Sequence, residues 1–178
     1  ATQNISNLLA NTYTVTVTDN VGCSATISAS VTQPPTLSIT QTHTDVLCNG
    51  GTDGTITTTT SGGTSPYTYL WNDGNTNGNR TNLIIGTYTV TVTDNHNCTA
   101  SVSATIVQPT ALGISQTQTD VSCFGGSNGT ITTNAVGGTS PYTYLWNDGN
   151  TNANRTNLII GTYTVTVTDN HSCTASIS

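Results

Sequence analysis

The strongest constraint on this chain is an internal repeat of 75 residues. The string TYTVTVTDN begins at Thr12, at Thr87 and at Thr162, and residues 34–103 are identical to residues 109–178 at 55 of 70 positions. A period of this length exceeds the roughly 20–45 residues of a solenoid coil and suits a small independent domain. The sequence therefore predicts domains copied head to tail, and we expect the chain to be a window on a longer array.

Proline marks the predicted boundaries between these domains. A Gln-Pro dipeptide stands at 33–34 and again at 108–109. Because proline fixes φ and cannot donate to a strand ladder, one strand ends there and the next domain begins. The predicted domains are the end of one repeat at 1–33, a complete repeat at 34–108 and a nearly complete repeat at 109–178. With almost no spare residues at the joints, we expect a stiff linkage between neighbours.

Composition restricts the fold class and the partners. Charged residues make up 6% of the chain, Lys and Glu are absent, and the net charge is -6. Nucleic-acid binding needs clustered Lys and Arg, and no apolar run reaches the roughly 20 residues of a membrane span, so neither partner is expected. Without lysine, Lys–Asn isopeptide crosslinks are chemically excluded. The 42 threonines, together with Val and Ile, favour strands and predict an all-β protein.

Alternating side chains predict the strands of one repeat. Tyr88, Val90 and Val92 share one face of a strand and threonines the other, which is the period of a half-buried strand. Six or seven short strands separated by turn signals indicate an immunoglobulin-like sandwich, with Trp71 in its core and Tyr88 as a tyrosine corner. The predicted strands are residues 37–42, 54–60, 67–71, 80–85, 87–94 and 99–107.

Three motifs in a fixed order carry a resemblance to a known family. CNGGTDGTI is followed by GGTSPYTYLWNDG and then by NLIIGTYTVTVTDNHNC, and a strand ending in Gln-Pro closes the unit. This order resembles the SprB repeat, and its middle is similar to the PKD domain. The resemblance implies tandem modules of large surface and secreted proteins of Bacteroidota, among them gliding-motility adhesins. It implies an extracellular, cell-surface location and no catalytic residues.

The five cysteines follow the same period. Cys23, Cys98 and Cys173 form one series, and Cys48 and Cys123 form the other. Two cysteines per small secreted domain, with no C-x-x-C pair, predict disulfides instead of a zinc site. Stoichiometry favours pairing within a repeat, between Cys48 and Cys98. Loop-closure entropy does not separate this pairing from Cys23–Cys48. A sandwich would place Cys48 and Cys98 at opposite ends, so either residues 42–53 fold back, which we favour, or a bond such as Cys48–Cys173 joins neighbouring repeats.

Calcium is the one cofactor for which the sequence offers candidate ligands. Residues 73–78 open like a calcium loop, with oxygen ligands at alternate positions, but Ile84 stands where the twelfth-position Glu is needed. A polar hairpin loop is the preferred interpretation. Asp45, Asp53 and Asp94 form a second candidate set near a domain junction. We expect no bound cofactor.

The histidines do not indicate catalysis. His43 is replaced by Gln118 in the next repeat, and Val21 stands in the first repeat at the position of His96. Catalytic residues would not vary in this way within one array, and no G-x-S-x-G nucleophile motif is present. We expect no enzymatic activity.

Two surface interpretations compete with simple packing. Tyr67, Tyr69 and Trp71 share a strand face, which is more often core than a platform for stacking sugars. Threonine rows at 57–60 and 87–93 are typical of a solvated strand face, since an ice-binding ladder requires a much shorter repeat.

The favoured function is that of spacer domains in a long extracellular adhesin or filament. The partners of each repeat would then be the neighbouring repeats of its own chain. The alternatives are a repeated module that binds polysaccharide or another surface with avidity, and a subunit that assembles with other copies into a fibre.

Overall fold

The computed structural model describes residues 4–178, which form fourteen strands and contain no helix. The all-β prediction is therefore confirmed, and in the complete repeat, residues 34–108, the strand ends lie within two residues of the predicted ones. The strands are β1 (Asn11–Thr18), β2 (Ser24–Val31), β3 (Ser38–Thr44), β4 (Gly54–Ser61), β5 (Thr68–Trp71), β6 (Arg80–Leu83), β7 (Gly86–Thr93), β8 (Thr99–Ile106), β9 (Gly113–Thr119), β10 (Gly129–Val136), β11 (Thr143–Trp146), β12 (Arg155–Leu158), β13 (Val165–Thr168) and β14 (Thr174–Ile177).

Each of the two longer repeats is a sandwich of two antiparallel sheets. In the first repeat, one sheet has the strand order β3-β4-β6 and the other β5-β7-β8. Strands β9 to β14 reproduce this arrangement in the second repeat. The tandem β-sandwich is thus confirmed. The inner faces of the first sandwich supply a buried core made of Ile39, Val46, Ile56, Trp71, Leu83, Val90, Val92, Ala104 and Ile106.

Alternation along β7 places its side chains as predicted. Val90 and Val92 are fully buried, whereas the threonines between and beside them are only partly covered. The Tyr88 hydroxyl donates a hydrogen bond to the Ile84 carbonyl at 3.2 Å, which is the predicted tyrosine corner. Trp71 is 2% exposed, and its Nε1–H donates to the Asn77 carbonyl. The aromatic residues therefore join the core and also fix the loops above it.

Strands β3 and β8 lie side by side and join the two sheets along one edge. The Gln41 side chain donates to the Ser103 carbonyl at 3.3 Å, and the Val46 N–H donates to the Val107 carbonyl at 3.1 Å. Because the contacts advance along both strands together, β3 and β8 run in the same direction. They lead from the entry end of the repeat, where the β7–β8 turn lies, to its far end, where the β3–β4 loop lies.

Strands β1 and β2 form a separate hairpin near the start of the chain. Its register is that of β7 and β8 shifted by 75 residues, so that Tyr13 pairs with Ala29 as Tyr88 pairs with Ala104. Among residues 4–178, no helix has the length and hydropathy needed to cross a membrane.

Candidate functional site: the junction between repeats

A set of specific contacts joins the far end of the first sandwich to the second. The β3–β4 loop, residues 45–53, reaches the Gln-Pro linker. The Asn49 side-chain amide donates to the Pro109 carbonyl at 3.1 Å, and the Gly50 N–H donates to the Gln108 side-chain oxygen at 2.8 Å. The linker is therefore held against the preceding repeat.

A disulfide crosses this junction. Cys48 in the β3–β4 loop is bonded to Cys173 in the β13–β14 turn of the next repeat, with 5.7 Å between the two Cα atoms. The preferred pairing of Cys48 with Cys98 is wrong, and the alternative between neighbouring repeats is the observed one. In the described part of the chain, Cys98, Cys123 and Cys23 are exposed free thiols.

The length of β8 explains why the pairing within a repeat fails. Cys98 precedes β8 at the entry end, and the Val107 N–H after β8 donates to the Asp45 carboxylate at the far end. Eight residues of extended strand separate the two ends by about 27 Å. A disulfide requires Cα atoms within about 7 Å, so Cys48 cannot reach the cysteine of its own repeat.

The loop that carries Cys48 is anchored on both sides. Val46 is 3% exposed and packs into the core, and the Asp53 carboxylate accepts a hydrogen bond from the Leu47 N–H at 3.2 Å. A residue larger than glycine would clash at position 51, because a Cβ atom there would lie 2.8 Å from Val46 Cγ1. These contacts all lie within the first repeat and hold the Cys48 backbone in place.

The turn that carries Cys173 is organised by a buried carboxylate. Asp169 is 6% exposed and accepts hydrogen bonds from the backbone N–H groups of Thr139, His171 and Cys173 at 2.8–2.9 Å. Burial by itself raises the pKa of Asp169, but these donors outweigh it and hold the pKa below its ordinary value. The carboxylate is thus kept ionised and fixes the turn on which Cys173 stands.

The same turn is built in the first repeat. Asp94 accepts hydrogen bonds from the N–H groups of Thr64, His96 and Cys98 at 2.8–2.9 Å. Burial again opposes these donors, and the pKa of Asp94 is also lowered. Each repeat therefore presents a rigid entry-end turn with a cysteine, and Cys98 occupies in the first repeat the position that Cys173 occupies in the second.

The residues considered for calcium have other partners. Asp73 forms a bidentate ion pair with Arg80, with 3.0 and 2.7 Å between the donor and acceptor atoms, and the guanidinium also lies 5.3 Å from the Trp71 ring centroid. Hydrogen bonds from Arg80 lower the pKa of Asp73. The Arg80 guanidinium thus pairs with the Asp73 carboxylate of the loop at 73–78, which fits the polar-hairpin interpretation.

The second calcium set does not come together. Asp45 and Asp53 lie at the far end of the sandwich and Asp94 at the entry end, and each carboxylate accepts backbone N–H groups. Within residues 4–178, no cluster of three or more His, Cys, Asp or Glu side chains has metal-binding geometry.

The aromatic strand face is part of the core. Tyr67 and Tyr69 are partly buried against the core cluster. The Tyr67 hydroxyl donates to the Gly62 carbonyl at 2.6 Å, and the Tyr69 hydroxyl lies 3.0 Å from Thr60 Oγ1. With rings packed and hydroxyls engaged inside the sandwich, these residues do not present the stacking platform that a sugar would need.

The threonine face of β7 is partly exposed, and its hydroxyls pair with those of β8. Thr89 Oγ1 lies 2.8 Å from Ser103 Oγ, and Thr91 Oγ1 lies 2.9 Å from Ser101 Oγ. Such cross-strand pairs stabilise a solvated sheet surface without a ligand. His43 lies on β3, and His96 and His171 lie in the equivalent entry-end turns of the two repeats.

An open cleft in the second repeat corresponds to a filled space in the first. In the first sandwich, Ile106 packs beside Gly54 and Leu83 and is fully buried. At the equivalent place beside Gly129 and Leu158, the second sandwich has a cleft of about 220 Å³. The cleft therefore has the position of a core side chain and not that of a ligand site.

Comparison with known families assigns the repeat. The family model described as the SprB repeat matches residues 40–76 and residues 115–151. Both longer repeats therefore resemble the SprB repeat, at positions 75 residues apart. Each match includes the far-end loop and its cysteine, Cys48 or Cys123, together with the buried tryptophan of the third strand. It stops before the β7–β8 hairpin, so the disulfide joins a cysteine inside one SprB match to a cysteine beyond the other. No curated protein matches the chain.

Proposed function

We propose that these repeats are structural spacer domains of a long extracellular adhesin or filament, and that they have no enzymatic activity. The observation that carries the proposal is the doubly connected junction, in which the Gln-Pro linker and the Cys48–Cys173 bond both join the two sandwiches. Two connections suppress bending at the joint, which is what a chain that provides reach requires. A binding module on a flexible tether would not need the second connection.

Two further observations support an extracellular surface location. Disulfides persist in oxidising compartments, and the resemblance of this chain to the SprB repeat implies a module of large Bacteroidota surface proteins. Low charge and a hydroxyl-covered surface suit a solvated spacer more than an electrostatic binding site. The finer form of the proposal is a stalk segment of a gliding-motility adhesin.

The shape of the oxidised chain in solution tests this proposal. A nine-residue strand spans about 30 Å, so each sandwich adds roughly 30–40 Å and the chain should be an elongated rod of about 80–100 Å. Small-angle X-ray scattering should give that maximum dimension for the oxidised protein. It should give a broader distance distribution for a Cys48→Ser variant, whose joint keeps only the linker. A compact particle in the oxidised state would refute the spacer function.

A further inference from the structure

The two cysteines of the disulfide occupy positions that every repeat possesses. Cys48 and Cys123 are equivalent far-end cysteines, and Cys98 and Cys173 are equivalent entry-end cysteines. Cys98 and Cys123 are exposed, each at the outward end of its sandwich. We propose that Cys123 is the attachment site for the entry-end cysteine of a following repeat and Cys98 for the far-end cysteine of a preceding one. The resulting ladder of disulfides would prevent the array from lengthening under tension.

Each disulfide between neighbouring repeats is one rung of this ladder. A rung forms by thiol–disulfide exchange. Two protein thiols lose two protons and two electrons to an external disulfide, which leaves as two thiols, and one S–S bond forms between neighbouring repeats. The backbone is already held at both unbonded positions. The Ser122 N–H beside Cys123 donates to Asn128 Oδ1 at 3.1 Å, and the Cys98 N–H donates to the Asp94 carboxylate at 2.9 Å. The site is therefore prepared by each sandwich alone.

The mechanical consequence follows from how much chain one rung encloses. The bond from Cys48 to Cys173 spans 125 residues, and two repeats hold 150. The shortest covalent path along the array alternates between disulfides and backbone. After each disulfide it follows the backbone from an entry-end cysteine to the next far-end cysteine, and it therefore uses only 25 residues for every two repeats. The segment from Cys98 to Cys123 is one such stretch and contains β8 and β9.

The lengths show how strong this restriction is. At about 3.5 Å per residue, 25 residues extend to about 90 Å, whereas 150 residues extend to about 520 Å. Two folded repeats already measure roughly 60–80 Å. The fully unfolded ladder would therefore be little longer than the folded array, and unfolding of individual sandwiches would not lengthen it.

The fold places the force-carrying strands next to each other. In every repeat, tension would pass through the first strand and the last, which are β3 and β8 in the complete repeat. These strands run in the same direction and are joined by the Val46–Val107 and Gln41–Ser103 hydrogen bonds. Strands β4 to β7 lie outside the path. This inference deepens the proposed spacer function and rests on it for its biological meaning, but its physical test does not depend on shape.

Force–extension measurement on the full chain, held at its two ends, tests the restriction. In the oxidised protein, only residues 1–48 and 173–178 lie on the path between the ends, so the fully stretched contour should be about 190 Å. Reduction of the same molecules should add about 440 Å, a roughly threefold lengthening. A Cys98→Ser variant is the matched control and should behave like the natural chain. An oxidised contour equal to the reduced one would overturn the inference.

Peptide mapping of a lengthened chain tests the recurrence. When a second copy of residues 104–178 is appended in frame after Ser178, Cys123 acquires a following repeat. Under non-reducing conditions we expect one bond from Cys48 to Cys173 and a second from Cys123 to the appended copy of Cys173. Recovery of Cys123 as a free thiol, or bonded within its own repeat, would refute the ladder even if the chain proves to be an extended rod.

Discussion

The hairpins β1–β2 and β7–β8 have closely similar sequences and the same register but different surroundings. Val15 and Val17 are 54% and 66% exposed, whereas the equivalent Val90 and Val92 are fully buried. In the complete repeat, β3, β4 and β6 cover the apolar face of the second hairpin. In residues 4–33, no second sheet covers the first hairpin.

Other features of the two hairpins are the same. Thr14 Oγ1 lies 2.8 Å from Ser28 Oγ, as Thr89 Oγ1 does from Ser103 Oγ. The Tyr13 hydroxyl donates to the Leu9 carbonyl at 3.0 Å, which reproduces the tyrosine corner. Pairing, register and corner are therefore local properties of the sequence, and burial is a property of the whole sandwich.

The largest expected difference between the hairpins concerns the buried valines. A Val92→Ala change removes two methyl groups from a closed core and should lower the free energy of unfolding of the first sandwich by about 2 kcal/mol. The matched Val17→Ala change should cost less than about 0.5 kcal/mol, because Val17 remains in contact with water. Hydrogen exchange resolved by peptide measures both. If both changes lowered the free energy of unfolding equally, the cover of the second sheet would not be the reason why Val92 contributes more than Val17.

A smaller effect should come from the carboxylates of the entry-end turns. The pKa of Asp94 and that of Asp169 are lowered in the folded state, so they stabilise it above the ordinary carboxyl pKa. This contribution should disappear as the pH falls through the lowered values. Thermal unfolding between pH 5 and pH 2 should therefore show a falling Tm. The Asp94→Asn, Asp169→Asn double variant should have a lower Tm at pH 5, and its Tm should fall less between pH 5 and pH 2. If the Tm of this variant fell as steeply as that of the natural chain, these carboxylates would not be the source of the pH dependence.

The smallest effect should come from the hydroxyl pairs, and it should be equal in both hairpins. Ser103→Ala and Ser28→Ala each remove one cross-strand hydroxyl contact on an exposed face, which is worth about 0.2–0.5 kcal/mol. Hydrogen exchange of the β8 and β2 amides would measure the two losses. A much larger loss at Ser103 would mean that its outer face is also packed in the complete repeat.

Much of the fold could be predicted because it depends on short patterns. The alternation of valine and threonine in TYTVTVTDN defines a half-buried strand, and Tyr88 lies at the spacing of a tyrosine corner. The burial of Trp71 follows from its apolar neighbours at alternate positions. Each signal acts over a few residues, so one copy of the repeat is enough to reveal it.

The junction could be predicted only in part. The period of the cysteines indicated a disulfide, and strand topology raised the objection to pairing Cys48 with Cys98. Counting cysteines per repeat nevertheless favoured that pairing, because it ignores the length of the sandwich. The Asn49 contact had no detectable signal, since Phe124 stands at the equivalent position of the next repeat.

The sequence by itself determined the module: its length, its strands, their faces and the head-to-tail copying. Only the tertiary structure decided which cysteines meet. A bond between sulfur atoms depends on distance in space, and the two ends of one strand are far apart however close their cysteines are in the repeat pattern. Stacking one sandwich on the next brings the far end of the first to the entry end of the second, and Cys48 therefore bonds to its neighbour.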